Sequence, residues 1–464
     1  MKKLSIFILL LSWLNASLPQ GVVDIINRYQ IDKNSISIDI RDIDSSLNLG
    51  SLNINRYRTP ASIIKLFTTY SALLHLGYNY RWSTLFYYTG SVKNGILYGD
   101  LIIKPHGDPN LSSKSISAIA YTIKSKGINE IKGDIIIDRT IFNISSRDTS
   151  GFDSNRYSPY NAMPDSMMFN QRVTTLNINT VGNRVVVTKD TPDNSFDIIN
   201  NAKVTNGSCR GNRAWVKVKI DKSSTRPKVF ISGKLSNRCS SRKVCKVITK
   251  PYKTFYYSLK SALDNIGIQN HSKLKLAPTP PNAKSLFVYK SKRLEESVST
   301  IAKESNNLMA RQLMLTLGAY IYNRPSSISK GRKAIQKILS DNGLRLGNNT
   351  LIDNGCGLSR VSKVRASDIS KLLISSFNKF GYRWLNTLSI AGVDGTTKKR
   401  FKNSIVSNRG WFKTGTIKGV KNIIGYVKSN SGRLYSVVIL VNHPKSYQGA
   451  LLQNDIIKWI IKNY

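Results

Sequence analysis

Thr59-Pro60-Ala61-Ser62-Ile63-Ile64-Lys65 decides how this chain is read. Thr59 suits a helix N-cap and Pro60 the first helical position. Ile63, Leu66, Phe67, Tyr70, Leu73 and Leu74 recur at helical spacing, which predicts one buried stripe on a helix over 59–77. Ser62 and Lys65 lie three apart, so they are neighbours beside that stripe. In a first turn the Ser62 N–H has no helical acceptor, and the positive helix end favours a developing oxyanion. Lys65 can take the serine proton when it is neutral, a state favoured by burial and by a second nearby cation. The spacing alone is not specific, because a surface serine one turn from a solvated lysine produces it in many helices.

Working outward, Ile36 to Ile43 alternates apolar and polar residues, turns at Asp44–Ser46 and continues through Leu47–Ile54, the pattern of a strand hairpin. Residues 86–285 show short strands, many turns and few helical stripes. Within them Gly99-Asp100-Leu101-Ile102-Ile103 is echoed by Gly133-Asp134-Ile135-Ile136-Ile137, a small repeat of strand-entry turns. Helical pattern returns at 294–317, 329–340 and 367–379. Strands are expected at 411–416, 421–428 and 434–441, and a closing amphipathic helix at 448–462. The layout is an α/β domain built from 18–85 and 286–464, interrupted by a β-rich insertion, 86–285, of two small subdomains.

Two further motifs follow in order. Ser305-Asn306-Asn307 opens the run Leu308–Leu317, where a lone SxN most often marks only a helix cap. Lys413-Thr414-Gly415 lies in a strand, Gly410–Thr416, where the missing Gly415 side chain would let a peptide lie against the edge. The order SxxK, SxN, KTG is that of penicillin-recognising serine enzymes. With the flanking segments Gly107-Asp108-Pro109-Asn110-Leu111-Ser112, Asp353-Asn354-Gly355-Cys356-Gly357-Leu358-Ser359-Arg360 and Gly392-Val393-Asp394-Gly395-Thr396, the chain resembles the low-molecular-mass class C penicillin-binding proteins. These are D-alanyl-D-alanine carboxypeptidase/endopeptidases, and the resemblance covers nearly all of residues 18–464.

The resemblance implies a transpeptidase-like domain, an antiparallel sheet flanked by helices. It makes Ser62 the nucleophile, Lys65 its base, Ser305 the proton relay, Asn307 the holder of the substrate amide and Lys413 the source of positive charge. Thr414 and Gly415 would bind the terminal carboxylate and the peptide, and Thr416 would share the oxyanion hole with Ser62. Arg360 and, through a looser match in the insertion, Asp153 and Tyr157 would contact the stem peptide. The implied partners are peptidoglycan stem peptides and β-lactams as covalent inhibitors. Cys356 stands where the family usually has Ser and is read as a buried structural residue. A family-like pattern favours a Cys209–Cys239 disulfide, with Cys239–Cys245 the rival.

Composition bounds the rest. The chain has 464 residues, 41% of them hydrophobic, which suits two or three folded domains. Four Cys exclude a disulfide scaffold, and four His with no HExxH or CxxC point to no metal and no cofactor. Lys and Arg number 70 against 26 Asp and Glu, a net charge of +44. The basic residues are spread along the chain without a nucleic-acid motif, so no nucleic-acid partner is expected, and codon-driven drift accounts for the charge as well as a polyanionic partner does. Residues 1–17 read as an export signal, with Lys2 and Lys3 before an apolar run, and predict a periplasmic enzyme. Peripheral membrane contact and a homodimer stay open. The rival functions are a β-lactamase and a catalytically idle peptidoglycan-binding protein.

Overall fold

Strands near the C-terminus are apolar on both faces, and a sheet explains why. A computed structural model describes residues 17–144, 147–209, 216–239 and 241–464. Residues 1–16, which hold nearly all of the expected export signal, lie outside them. The helices, in chain order, are α1 (Gln20–Arg28), α2 (Lys65–Leu76), α3 (Ser113–Ser125), α4 (Pro251–Asn265), α5 (Leu294–Lys303), α6 (Asn307–Ile321), α7 (Ile328–Asp341), α8 (Ala366–Leu385) and α9 (Gly449–Asn463).

Six antiparallel strands form the central sheet, in the order Asn48–Leu52, Ile36–Asp42, Leu434–Asn442, Val420–Lys428, Gly410–Ile417 and Ser389–Ile390. Its side chains alternate between two cores. Ile424, Tyr426, Val438 and Leu440 point into a cluster with α2, α5, α6, α7 and α8. Ile423, Val427, Val437, Ile439 and Val441 point the other way, against α1 and α9. The result is three layers, with the nucleophile helix inside the thicker helical one.

The insertion leaves and returns through paired strands, Arg81–Tyr88 and Lys284–Arg293. These edge a five-stranded sheet with Leu101–Pro105, Ile135–Ile137 and Leu274–Leu276. The Gly-Asp repeat has a structural meaning: Leu101–Ile103 and Ile135–Ile137 lie side by side in parallel, and the Asp134 N–H donates to Asp100 Oδ1 at 2.6 Å. A Cβ on Gly133 would come within 2.3 Å of the Gly99 carbonyl oxygen, so glycine is required there. Contrary to the expectation of few helical stripes, this part holds α3 and α4, which cover the sheet with Ile116, Ile119, Ile123, Phe255 and Leu259. Their apolar positions are interrupted by Lys, Ser and Thr, which blurs the stripe in the sequence. A second core, with Leu176, Ile178, Val229 and Ile231, lies between smaller sheets formed from residues 174–246. Cys209 and Cys239 are joined there, while Cys356 is buried and free.

Two further expectations change. The run 294–317 is two helices, because Ser305 takes a left-handed conformation (φ 60°) that breaks it. The nucleophile helix starts at Ala61 as a 3-10 turn, not at a Thr59 cap. Thr59 and Pro60 are held elsewhere: the Thr59 N–H donates to Asn442 Oδ1, and Asn422 donates to both carbonyls. Thr59 is therefore a splint between helix and sheet.

Tyr426 ties the sheet to α8. Its buried hydroxyl accepts from the Trp384 indole at 3.0 Å and donates to the Leu373 carbonyl at 2.6 Å. Tyr426→Phe strands the Trp384 indole and takes one of two side-chain donors from the Leu373 carbonyl, so it should lower stability by about 1–3 kcal/mol, read from the urea midpoint of catalytic-domain unfolding. An unchanged midpoint would mean that the two groups find other partners.

Candidate active site

Three elements converge at one open cleft of about 340 Å³, lined by Ser62, Ser305, Thr396, Arg400, Thr414, Thr416 and Lys421. Each brings a constrained backbone. Ala61 is buried in the left-handed region (φ 49°), which costs an alanine about 1–2 kcal/mol. The strain turns Ser62 toward the cleft. Gly357 makes it possible: it has φ 81°, and a Cβ there would lie 1.9 Å from the Ala61 carbonyl oxygen. Gly415 serves the same contact from the sheet side, since its Cβ would lie 2.6 Å from the Pro60 carbonyl oxygen. The glycine of KTG is thus demanded by the approach of the nucleophile turn, a reason different from the room for substrate that its sequence suggests.

Lys65 Nζ donates to Ser62 Oγ at 2.9 Å, to Asn307 Oδ1 at 2.7 Å and to the Cys356 carbonyl. Lys413 Nζ donates to Ser305 Oγ at 2.9 Å and to the Thr414 carbonyl at 3.0 Å. Both lysines are fully buried. Burial pushes Lys65 from 10.5 down to about 8, with Cys356 opposing and the Arg311 guanidinium adding to the shift. Burial, and then the charge of Lys65, hold Lys413 well below its ordinary value. Lys65 with Ser62 and Asn307, and Lys413 with Ser305, are thus two hydrogen-bonded groups that bring residues 62, 65, 305, 307 and 413 to one site.

The flanking groups divide. Gly410–Ile417 pairs with Ser389–Ile390 only at Trp411 and Phe412, so among the described residues its edge at Thr414–Thr416 carries no strand. Thr414 Oγ1 donates to Thr396 Oγ1 at 2.9 Å. Asp153 is occupied: it accepts from the Asn155 N–H, from Tyr160 at 2.9 Å and from Asn161 at 2.7 Å. Desolvation works against its charge, but these bonds win and hold the carboxyl below the usual range. Arg360 is exposed, its guanidinium 5.1 Å from the Phe152 ring centre, next to Asp153 in the chain. Tyr157 turns away, under Lys222 in the second insertion core.

Five participants were not visible in the sequence. Tyr160 O accepts from Asn307 Nδ2 at 3.3 Å, and Ala162 O accepts from Arg311 at 2.8 Å, so the segment 160–162 walls the site. Arg311 is buried and forms no ion pair among the described residues. Arg400 donates to the neutral groups Asn454, Ala450 and Gln453, and burial pushes it down to about 10. With Lys421 it makes the far end of the cleft positive. A helix position four after Asn307 was the one available signal for Arg311. Arg400 had none, lying in the run Lys398-Lys399-Arg400.

An antiparallel sheet with helices on both faces, and a lysine-coupled serine at its edge, define the penicillin-recognising serine enzymes. The chain belongs to the D-Ala-D-Ala carboxypeptidase 3 (S13) family, whose model matches residues 18–461. It is 27% identical over 425 residues to the D-alanyl-D-alanine carboxypeptidase DacB of Haemophilus influenzae, covering 87% of this chain and 84% of that one. The crystal structure of penicillin binding protein 4 (dacB) from the same organism superposes with a TM-score of 0.80 at 23% identity, over 95% of this chain and 99% of that one. A second structure of that protein, complexed with a novel β-lactam, gives a TM-score of 0.74 at 23% identity, over 94% and 97% of the two chains.

The depressed Lys65 leaves a mark on stability. Above 10.5 the lysine is neutral in both folded and unfolded states; below about 8 it is charged in both, and the folded state carries the full penalty. The contribution of this site to stability therefore rises with pH between those values. Against Lys65→Met, the wild-type unfolding free energy should gain up to about 3 kcal/mol between roughly pH 7.5 and 10.5. Urea unfolding at both pH values measures it, and a constant difference would show that folding does not shift Lys65.

Proposed function

We propose that this chain is an exported serine DD-peptidase that cleaves the D-alanyl-D-alanine bond of peptidoglycan stem peptides and the D-Ala–diaminopimelate crosslinks between them. The observation that carries the reading is Lys65 Nζ at 2.9 Å from Ser62 Oγ, with the second pair, Lys413 and Ser305, across the same cleft. Neutral Lys65 takes the Ser62 proton as Oγ attacks the D-Ala-D-Ala carbonyl. The N–H groups of Ser62 and Thr416 receive the oxyanion. Ser305, held by Lys413, relays the proton that Lys65 took to the departing amine; water then opens the acyl ester, its hydroxyl going to the acyl carbon and its proton to Ser62 Oγ. Asn307 and the free edge at Thr414–Thr416 hold the peptide backbone.

Charge explains the order of events. A substrate carboxylate beside Lys413 and Thr414 favours the protonated form of Lys413, because an opposite charge offsets its desolvation. Repulsion from that charge would in turn favour neutral Lys65. Arg400 and Lys421 attract the carboxylate to the same end. Arg360, exposed at the insertion side, suits a second carboxylate on the stem peptide, with Asp153 fixing the loop beside it. A β-lactam would follow the first half of this path and remain on Ser62. Among the described residues neither Ser62 nor Lys65 hydrogen-bonds a carboxylate, which favours a peptidase over a β-lactamase with an acidic deacylation base.

Ser62→Ala should abolish covalent penicillin labelling while circular dichroism stays unchanged. An adduct that persists in mass spectra of the Ser62→Ala protein would reassign the nucleophile.

Acylation should rise with pH through about 8 and level off above it, because the base acts in its neutral form. Lys65 is faced by Lys413 from the sheet, by Cys356 from the 354–357 loop and by Arg311 from α6. Arg311→Met removes one of the cations, so the rising limb should move to higher pH with its plateau retained, while Arg311→Lys keeps the limb in place. Penicillin acylation rates across pH separate this from a structural fault, which lowers the rate equally at every pH.

A further inference from the structure

Away from the cleft, three neighbouring hollows of about 250, 420 and 460 Å³ run along α4. They share walls. Ser195, Thr225 and Lys253 line the first and second, and Asn194, Tyr256 and Tyr257 the second and third. Together they form one trough between α4 and the connections 192–195 and 222–227.

Six basic side chains against three carboxylates line the trough. Lys222 and Lys250 stand at its inner end, Lys273 in the middle and Lys260 at the outer end. Asp148 takes ion pairs from Arg172, Lys222 and Lys250 at once, at 2.6, 3.0 and 2.8 Å, one carboxylate against three cations. The outer carboxylates are already engaged: Asp193 accepts from Thr249 and Thr254, and Asp264 from Asn270. Lys253, Lys260 and Lys273 form no ion pair with a carboxylate among the described residues. Half-buried Tyr257 adds a flat ring to the wall.

The inner end is tied to the active site. Arg172, which grips Asp148, belongs to the turn Asn170–Arg172, where three successive residues are left-handed (φ 45°, 48° and 59°). Its neighbour Gln171 accepts from Asn306 at 2.6 Å, beside the catalytic Ser305 and Asn307. Arg172 also donates to the Met163 carbonyl at 2.9 Å, at the end of the segment that walls the cleft. The trough starts where that wall stops.

We propose that the trough seats a peptidoglycan strand, its lysines taking stem-peptide carboxylates and Tyr257 stacking on a sugar ring, so that a neighbouring stem peptide is delivered to Ser62. The proposal rests on the DD-peptidase reading of the cleft, but its test needs no catalysis. Ser62→Ala protein, which cannot cut the ligand, is compared with and without Lys253→Glu/Lys273→Glu. A charge-matched control, Lys371→Glu/Lys379→Glu, changes exposed lysines on α8. Circular dichroism checks each fold, and co-sedimentation with purified sacculi at physiological salt is the readout.

The trough pair should lower retention about tenfold and the α8 pair less than about twofold. Tyr257→Ala should lower it several-fold even at a salt concentration that screens charge. Equal losses for the two pairs, or no loss for the trough pair, would overturn the proposal in favour of general surface charge. Equal loss of duplex DNA and sacculi by the trough pair, with Tyr257→Ala silent, would overturn it in favour of an unspecific polyanion site. Failure of the catalytic reading would show separately, as wild-type protein that takes up no penicillin on Ser62.

Discussion

Two lysines buried side by side at one site, and paired with no carboxylate among the described residues, are the constraint on which the rest of the structure depends. A buried ammonium is costly unless its donors are satisfied. Lys65 finds Ser62, Asn307 and the Cys356 carbonyl; Lys413 finds Ser305 and its own chain at Thr414. None of these acceptors is anionic, so the penalty is only partly relieved and both lysines are pushed toward the neutral form. A carboxylate in place of Asn307 would satisfy the same donors but hold Lys65 charged, and so remove the base role proposed for it. The choice of neutral acceptors decides the chemistry.

Such an arrangement has to be enforced, because a flexible site would relax to hydrate the lysines. The enforcement is steric. Ala61 and Ser305 both sit in the left-handed region, at about 1–3 kcal/mol each. Gly357 and Gly415 press against the carbonyls of Ala61 and Pro60 from opposite sides. Asn422 and Asn442 clamp Thr59 and Pro60 to the sheet, and Thr68 holds the Gly355 carbonyl at 2.7 Å. The three-layer core behind them supplies the stability that strain withdraws.

This explains what the sequence could reveal. The strands 410–417, 420–428 and 434–442 and the helices α7 and α9 were legible within a few residues, and α8 up to the left-handed Gly381, because burial on defined faces imposes period 2 or 3.6 on the chain. The motifs named the five residues of the constellation, since serine, asparagine and lysine at those spacings reflect contact chemistry. Left-handed Ala61 and Ser305 were not legible, because alanine and serine carry no signature of positive φ. The role of Thr59 was misread for a related reason: its contacts are with Asn422 and Asn442, more than 360 residues away. Asp100 and Asp134 show the reverse case. Their repeat was visible, and its meaning, two parallel strands in register, required the fold.

The insertion is more than a passenger on this account. Asn307 donates to Tyr160 O, Arg311 to Ala162 O and Gln312 to Asp165 O, so one face of α6 holds a continuous piece of the insertion by its backbone. Backbone carbonyls make this latch indifferent to side-chain identity along 160–165, but strict about the path of the chain. The same helix carries the amide that touches Lys65 and the guanidinium that helps to keep it neutral. A shift of the insertion therefore acts on the base through α6 without any contact to Ser62. A ligand that holds the insertion in place, at the trough or at the cleft wall, would stabilise the geometry in which Lys65 works. On the proposed reading, binding of the polymer and readiness of the serine would then be coupled by the position of one helix.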